Sequence, residues 1–182
     1  MSLTQIKIPK ERVGALIGKN GETKRFIEER TGVKMLVDSA EGDVELDTSD
    51  LADPSMALVA PNIVKAIGRG FSPEHALDLL DGDTVLEVLD IRDFVGKKPN
   101  HVARVRARLI GTRGKTRRIM EDLTDTHISV FGNTVAVIGG SVQASISIRA
   151  IEMLLEGAEH ATVYRFLERK RDVIRAAGMG FD

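Results

Sequence analysis

The sequence predicts an α+β fold built from two tandem copies of one small domain, each a three-stranded antiparallel sheet packed against three helices. Two observations favour this fold: a glycine-framed loop that occurs twice, and the same order of strand-like and helix-like segments around each loop. The loops read LIGKNGETKR at residues 16–25 and LIGTRGKTRR at residues 109–118. Placing Gly111 on Gly18 sets an offset of 93 residues, which is too long for a solenoid repeat and suits two domains.

The first copy begins with a strand and two short helices. LTQIKIP alternates apolar and polar residues, as a half-buried strand does, and its proline ends the strand. Residues 10–17 then predict a short helix that ends at Gly18. Residues 22–31 predict a second helix with Phe26 and Ile27 on one face, followed by a glycine that suits a helix C-cap.

The rest of the first copy predicts a hairpin and a longer helix. KMLVDS and DVELDT are strand-like runs on either side of the turn AEGD. The segment DPSMALVAPNIVKAIGRG predicts a helix with Asp53 as its N-cap and Pro54 at its first position. Pro61 lies inside this helix, where a proline costs about 3 kcal/mol, so we expect a kink or a break there.

The second copy repeats this order. TVLEVLDI predicts its first strand, and HVARVRARLI and KTRRIMEDLTD predict the helices before and after the loop. The alternation within residues 102–109 also fits a strand, but the alignment of the copies and the spacing of Val102, Val105 and Leu109 favour a helix. HISVF and TVAVIG predict a hairpin around the Gly-Asn turn at 132–133, and SVQASISIRAIEMLLEG predicts the long last helix.

Two segments have no counterpart in the other copy. FSPEHALDLLDGD predicts a linker helix with Ser72 as its N-cap, so we expect one domain at residues 1–82 and the other at residues 83–182. Residues 161–177 predict an amphipathic C-terminal helix. Its apolar stripe consists of Val163, Phe166, Leu167, the stem of Lys170 and Ile174.

The composition excludes several classes of protein. The 182 residues include no cysteine, which excludes disulfides and thiolate metal sites. The N-terminus lacks the apolar stretch of a secretory signal, and no apolar run approaches the roughly 18 residues of a membrane span. We therefore expect a soluble, cytoplasmic protein without a membrane partner.

The two glycine loops are the strongest functional signal. The N-terminus of a helix offers unpaired N–H groups and the positive end of the helix dipole, which together suit a phosphate. Glycines let a sugar-phosphate backbone approach because they have no Cβ, and nearby basic residues add counter-charge. The candidate RNA-binding residues are Gly18, Lys19, Asn20, Gly21, Lys24 and Arg25 in the first copy, and Arg104, Arg106, Arg108, Gly111, Thr112, Arg113, Gly114, Lys115, Arg117 and Arg118 in the second.

Charge is distributed unevenly between the copies. Residues 97–120 contain nine Lys or Arg and no acid, whereas residues 10–34 contain seven bases and four acids. Because affinity for RNA grows with the number of phosphates neutralised, we expect the second loop to be the principal RNA site and the first to be accessory. Residues 36–93 carry fourteen acids and three bases, which indicates either a surface for a basic protein or a solvated face.

Other candidate sites are weaker. Residues 114–116 read GKT, as at the end of a Walker A motif, but Leu109 occupies the position of its first glycine, so no ATP hydrolysis is expected. The four histidines lack ligand spacing, and the DGD at residues 81–83 lacks the other ligands of a calcium loop, so we expect no metal and no cofactor. Tyr164 most simply packs on its own helix, and stacking on a base is the alternative.

The order strand, helix, G-x-x-G, helix, two strands, helix (βααββα) is that of a type I KH domain, a module that binds about four single-stranded nucleotides. Longer stretches resemble one family of tandem KH proteins in particular: the archaeal members of the ribosome-assembly family known in eukaryotes as Dim or partner of Nob, which is related to the Krr proteins. The resemblance covers most of the chain. The stretches that carry it are NIVKAIGRGFSPEHALDLL, LEVLDIRDF, ARLIGTRGKTRRIMEDLTDTHISV and VQASISIRAIEMLLEGAEHATVY.

This resemblance implies a role in the maturation of the small ribosomal subunit. Members of the family bind near the 3′ end of the small-subunit rRNA, work beside the endonuclease that trims this end and, in archaea, associate with the alpha subunit of translation initiation factor two. Their RNA-binding loop corresponds to residues 111–114 with Lys115 and the basic helix behind it. The eukaryotic members have a degenerate first loop, whereas the glycines of residues 18–21 are intact here, so RNA binding by the first copy stays an open question.

We expect a non-catalytic RNA-binding assembly factor. One alternative is a KH-based protein–protein scaffold or general RNA-binding regulator that contacts RNA only weakly. Another is an RNA-processing enzyme, which is disfavoured because no carboxylate cluster and no His/Lys constellation occurs at a loop.

Overall fold

Each half of the chain forms one three-stranded antiparallel sheet packed against helices, so the predicted α+β architecture is confirmed. The computed structural model describes residues 2–180. The chain divides into two units, Met1–Asp81 and Gly82–Asp182, which we call the first and the second unit. Residues 18–21 are the first loop and residues 111–114 the second loop.

The three strands of the first unit are β1 (Leu3–Lys7), β2 (Lys34–Asp38) and β3 (Asp43–Asp47), and they lie in the order β1-β3-β2. The turn between β2 and β3 keeps Val37 opposite Val44, and β1 places Ile6 opposite Val44 on the other side. The core contains Leu16, Ile27, Leu46 and further aliphatic side chains of the third helix, all buried. The elements are β1 (Leu3–Lys7), α1 (Lys10–Ile17), α2 (Glu22–Thr31), β2 (Lys34–Asp38), β3 (Asp43–Asp47), α3 (Met56–Gly68) and α4 (Pro73–Ala76), the last followed by a 3₁₀ turn at Leu77–Leu80.

The second unit repeats this topology as β4-β6-β5. Its core joins Leu109 and Met120 from the helices beside the loop to Val135 and Val137 of the central strand. The elements are β4 (Thr84–Asp90), α5 (Arg92–Val95), α6 (Pro99–Ile110), α7 (Lys115–Thr124), β5 (His127–Phe131), β6 (Thr134–Gly140), α8 (Ser141–Leu155), α9 (His160–Arg169) and α10 (Arg171–Met179).

The same hydrogen bond ties the helix after each loop to the strand that follows it. In the first unit, Glu28 Oε1 on α2 accepts from the N–H of Met35 at 2.9 Å. In the second unit, Glu121 Oε2 on α7 accepts from the N–H of Ile128, also at 2.9 Å. Because the contact is duplicated, each loop-to-helix segment is attached to its own sheet in the same way.

Helix α3 differs from the prediction at its start. It begins at Met56 rather than at Pro54, because Asp53 forms a turn in place of a cap. Asp53 Oδ1 accepts from the N–H of Ser55 at 2.9 Å and from its Oγ–H at 2.7 Å. These two bonds hold the pKa of Asp53 below its ordinary value. A kink or a break was predicted at Pro61. The helix runs unbroken through this buried residue, so the break does not occur. Pro61 lies in the second turn and removes a single backbone hydrogen bond.

The C-terminal segment forms two helices where one was predicted. Helix α9 ends at Arg169 and α10 begins at Arg171, with Lys170 between them at φ −90° and ψ 0°. The predicted apolar stripe nevertheless faces inward: Val163, Leu167 and Ile174 are buried. Lys170 Nζ lies over the Phe166 ring, 5.8 Å from its centre, so the ammonium group makes a cation–π contact with another residue of the stripe.

Two smaller features also differ. Phe26 is 41% exposed while its neighbour Ile27 is fully buried, because consecutive residues on a helix point about 100° apart and only one can face the core. The guanidinium of Arg30 lies 5.6 Å from the Phe26 ring centre.

The short helix α5 of the second unit was not predicted. The Asp90 carboxylate accepts from the N–H of Arg92 at the start of this helix, at 2.9 Å.

Candidate nucleic-acid interface

The two loops have the same backbone conformation. In each, three of the four residues have positive φ, and the matched angles agree within a few degrees. The φ/ψ values in degrees are 74/176 at Gly18 and 74/173 at Gly111, 53/26 at Asn20 and 55/29 at Arg113, and 76/12 at Gly21 and 76/15 at Gly114. The two copies therefore present their backbone to a ligand in the same way.

The first glycine of each loop is required both by its backbone angles and by its neighbour. A φ near +74° with ψ near 180° lies in a region that only glycine adopts easily. A Cβ on Gly18 would lie 2.7 Å from Cβ of Thr23, and one on Gly111 would lie 2.8 Å from Cβ of Thr116. The threonine at the second position of each helix therefore closes over the first glycine.

The residue before the second glycine has a left-handed conformation that an arginine stabilises. Asn20 tolerates this conformation well, and Arg113 adopts it less readily. Arg25 Nη2 donates to the carbonyl of Asn20 at 2.9 Å, and Arg118 Nη2 donates to the carbonyl of Arg113 at 2.8 Å. Both arginines were predicted as RNA-binding residues, and both are exposed cations that also hold the loop in shape.

Each loop ends at the N-terminus of a helix whose N-cap residue has no side chain. Helix α2 follows Gly21 and α7 follows Gly114, and neither has a side-chain capping hydrogen bond. The positive end of each helix dipole is thus open to an anion at the loop, as a phosphate site requires. The first helical residue differs in charge: it is Glu22 in α2 and Lys115 in α7.

Several predicted RNA-binding cations have structural contacts within their own unit. Lys24 Nζ lies 3.1 Å from Glu28 Oε1, and Arg117 Nη1 lies 2.5 Å from Glu121 Oε1. These two pairs are matched positions in the repeat. The same glutamates accept from the next strand, so Lys24 and Arg117 support the helix–strand contact in addition to any role at RNA.

The three arginines of α6 differ in how exposed they are. Arg108 is half-buried and donates to the carbonyls of Leu154 at 3.0 Å and Ala158 at 2.5 Å, which places it at the C-terminal end of α8. A cation there complements the helix dipole. Arg106 is half-buried as well, with its Nε enclosed, while Arg104 is exposed. Of these three predicted residues, only Arg104 is fully accessible to a ligand.

The remaining predicted residues lie on the surface at the loops. The exposed side chains are Lys19 and Asn20 in the first loop and Thr112, Arg113 and the adjacent Lys115 in the second. The second unit therefore presents two cations at its loop, Arg113 and Lys115. The first presents Lys19 beside an acid.

A surface cavity of about 570 Å³ connects the second loop to helix α9. Its lining includes Arg104, Thr112 and Lys115, all predicted, and the rings of His160 and Tyr164, which were not among the predicted site residues. His160 Nε2 lies 2.9 Å from the carbonyl of Arg108. The sequence separates these rings from the loop by about fifty residues, so only the packing of α9 against the helices of this unit brings them together.

Three acidic residues of the first unit lie on the sheet face opposite the buried Val44 and Leu46. Asp38, Asp43 and Glu45 line a shallow cavity of about 390 Å³ beside Leu36, which is 71% exposed. Lys7 Nζ lies 3.6 Å from Asp43 Oδ1. These three carboxylates lie on strands β2 and β3, outside the first loop.

None of the helices within residues 2–180 combines the length and apolar character needed to cross a bilayer. Over the same residues, no group of three or more His, Asp or Glu side chains is arranged to hold a metal ion. What the described residues do offer is a pair of glycine loops at open helix N-termini.

Comparison with protein families matches both units. Residues 85–172 match a family model described as eukaryotic type KH-domain (KH-domain type I), and residues 3–51 match the KH domain model. A KH domain-containing protein of Methanocaldococcus jannaschii is 48% identical over 177 residues, which make up 97% of this chain and 77% of that protein.

Solved archaeal structures share the whole fold. Dim2p from Pyrococcus horikoshii is 44% identical with a TM-score of 0.86, covering 93% of this chain and 99% of its own. A protein of unknown function from Aeropyrum pernix is 40% identical with a TM-score of 0.91, covering 98% and 95%. A chain of the a/eIF2alpha–aDim2p–rRNA complex from Pyrococcus horikoshii is 43% identical with a TM-score of 0.88, covering 94% and 95%.

Proposed function

Because this chain belongs to the family of tandem KH-domain proteins that includes archaeal Dim2p, we propose that it is a non-catalytic assembly factor of the small ribosomal subunit. It binds single-stranded RNA near the 3′ end of the small-subunit rRNA. The second loop is the principal contact and the first loop an accessory one. The site of action is the cytoplasm.

One observation supports this proposal above the others: the second loop joins an open helix N-terminus to exposed cations. The dipole of α7, the backbone of residues 111–114 and the side chains of Arg113 and Lys115 all favour a chain of phosphates. Glycine at both ends of the loop allows the sugar-phosphate backbone to approach closely. A helix N-terminus, a glycine loop and nearby cations bind nucleic acid without any catalytic side chain. This fits a non-catalytic RNA-binding factor.

The identity of the RNA and of the protein partners is drawn from the relatives. The Pyrococcus horikoshii relative is part of a complex with rRNA and a/eIF2alpha. We extend both partners to this chain, as the alpha subunit of translation initiation factor two and the small-subunit rRNA. The endonuclease that trims the 3′ end of this rRNA is a third proposed partner, which rests on the family resemblance of the sequence.

The proposal is tested by binding to two single-stranded RNAs of equal length and base composition. One has the sequence of the 3′ end of the small-subunit rRNA and the other is its scrambled counterpart. We expect the first to bind at least tenfold more tightly, a difference of about 1.4 kcal/mol. We also expect affinity to fall with salt, with a log–log slope of about −0.7 for each phosphate contacted. Equal affinity for the two RNAs, or crosslinks in cells concentrated away from the 3′ end, would contradict the proposal.

A protein scaffold is the second candidate, favoured by the acidic sheet face of the first unit. Asp38, Asp43 and Glu45 around the exposed Leu36 suit a basic protein surface with an apolar centre. Capture of the initiation-factor subunit by the purified protein after ribonuclease treatment, with no measurable RNA binding by the protein alone, is the result that would favour the scaffold over the RNA-binding factor.

A further inference from the structure

We propose that Tyr164, supported by His160, forms a stacking subsite for one RNA base beside the second loop. The inference rests on the proposed RNA binding by that loop and extends it to helix α9. The RNA would follow the loop with its phosphates and place the next base in the cavity that α9 closes on one side.

The cavity has the position and size for this role. It is bounded by Gly111 and Thr112 of the second loop, by Lys115 at the start of α7 and by the two rings of α9. Its volume of about 570 Å³ lies within the range of small-molecule sites, roughly 300–1,000 Å³. The nucleotide that follows those held at the loop therefore has room for its base in this cavity.

The tyrosine ring is held in place and is not covered by the histidine. Tyr164 is half-buried and packs against the core of the second unit. The His160 ring centre lies 6.2 Å from that of Tyr164, and the two planes are inclined by 47°, so the rings are not stacked on each other. An aromatic ring fixed by packing loses little freedom when a base stacks on it, which favours binding.

His160 is oriented by its own hydrogen bond. A backbone carbonyl can only accept, so the 2.9 Å contact with Arg108 O requires the proton to be on Nε2. That leaves Nδ1 as the ring's hydrogen-bond acceptor when the imidazole is neutral. Arg108 in turn donates to the end of α8, so a single arginine connects the positions of α6, α8 and α9 around the cavity.

The charges around the cavity suit RNA better than a protein side chain. The exposed cations Arg104 and Lys115 line it on the α6 and α7 sides, and none of the acidic residues that the structure describes belongs to its lining. Sites for single-stranded nucleic acid typically combine cations, which bind the phosphates, with an aromatic face, on which a base stacks. A base stacked in this way is not identified by sequence, because every base has a π-face.

Among the residues that the structure describes, the first unit has no counterpart of this subsite. Helix α3 there is followed by the four-residue helix Pro73–Ala76, and the C-terminal pair α9 and α10 belongs to the second unit alone. The difference gives the second loop one more contact to RNA than the first.

The tyrosine content of the chain provides a direct test. Tyr164 is the only tyrosine and there is no tryptophan, so the tyrosine fluorescence of the protein reports on this ring alone. We expect an eight-nucleotide single-stranded RNA to quench this fluorescence, while a four-nucleotide RNA, which fills only the loop site, changes it little. Replacing the eight bases one at a time by an abasic site should restore the fluorescence at one position. RNA binding without any quenching would overturn the proposal.

Two substitutions separate stacking from folding. Tyr164→Ala should weaken binding of the eight-nucleotide RNA about tenfold and leave that of the four-nucleotide RNA unchanged, in the range measured for one stacked base. Tyr164→Phe keeps the ring and should bind both RNAs as the original chain does. If Ala lowers both affinities equally, Tyr164 is structural. If RNA binds through the second loop but neither substitution matters, only the subsite is wrong, whereas no RNA binding at all would contradict the proposed function itself.

Discussion

The first and second units share a loop framework and differ in what surrounds it. Backbone angles, the threonine under the first glycine, the arginine on the loop carbonyl and the Glu-to-strand hydrogen bond are all matched between the units. The exposed side chains are not. The comparison shows that the repeat preserves the residues that shape the loop. We propose that the charge at the surface sets which loop binds RNA more tightly.

The contrast is sharpest at the first residue of the helix after each loop. Glu22 favours the N-terminus of α2 through the helix dipole, whereas Lys115 at the same position of α7 opposes it. An acid there repels a phosphate and a lysine attracts one. On the preceding helix, Glu11 of the first unit corresponds to Arg104 of the second. We therefore expect the second unit to have lower helix stability at this position and higher affinity for RNA than the first unit.

The largest effect is a loss of stability, and it is expected at the first glycine of the loop, which both units share. Gly18→Ala and Gly111→Ala should each destabilise their own unit by about 3 kcal/mol, because each combines a glycine-only backbone conformation with a clash against the threonine. Hydrogen exchange of amides in each unit measures the two effects separately. The matched control is Gly21→Ala, where a Cβ would meet no atom within 4 Å; it should cost only about 1 kcal/mol. A large loss in one unit alone would show that the frameworks are not equivalent.

The next largest effect is a difference between the two units in the RNA affinity lost when their loops are substituted. Replacing Thr112 and Arg113 by two aspartates should lower RNA affinity about 100-fold, since it removes a cation and adds two charges that repel phosphates. The matching double replacement of Lys19 and Asn20 should lower it only a few fold. Aspartate tolerates the left-handed position, so both variants should keep their fold, as checked by thermal unfolding. Equal losses in the two variants would contradict the ranking of the loops.

A reciprocal charge exchange tests whether one position accounts for the difference. Lys115→Glu should weaken RNA binding about tenfold and reduce the salt slope by about one, while Glu22→Lys should strengthen binding a few fold. Stability should change in the opposite direction: Lys115→Glu stabilises its helix and Glu22→Lys destabilises its own, each by roughly 0.5 kcal/mol. If affinity and stability changed in the same direction, the proposed exchange of one for the other would be wrong.

Much of the fold could be predicted from the sequence because its determinants are local. Gly18 and Gly111 end their helices through their own backbone angles, and alternating apolar residues define the strands. The errors arise where packing overrides a local preference. Pro61 is buried inside an unbroken helix despite its missing N–H, and α9 and α10 divide at Lys170, where the sequence carries no glycine or proline to signal an end.

The candidate site could be predicted only in part, for the same reason. The loop residues follow from the repeated G-x-x-G, and their conformation matches in both units. The cavity with Tyr164 and His160 depends on contacts between residues about fifty positions apart, which no periodicity reveals. The same limit applies to Arg108, predicted as an RNA-binding residue: no sequence pattern reveals that its guanidinium donates to two carbonyls near the end of α8.

The smallest effect concerns the arginines that donate to the loop carbonyls. Arg25→Lys and Arg118→Lys keep the charge but lose the guanidinium geometry, so each should destabilise its unit by only about 0.5 kcal/mol, as expected of an exposed hydrogen bond. Arg118→Lys should nevertheless weaken RNA binding about threefold, because the left-handed Arg113 loses its support and the loop samples other conformations. Arg25→Lys should change binding less, since the first loop is accessory. Arg118→Gln distinguishes shape from charge: if it weakens binding while Arg118→Lys has no effect, Arg118 acts only as a counter-charge and the loops do not depend on the shared hydrogen bond for binding.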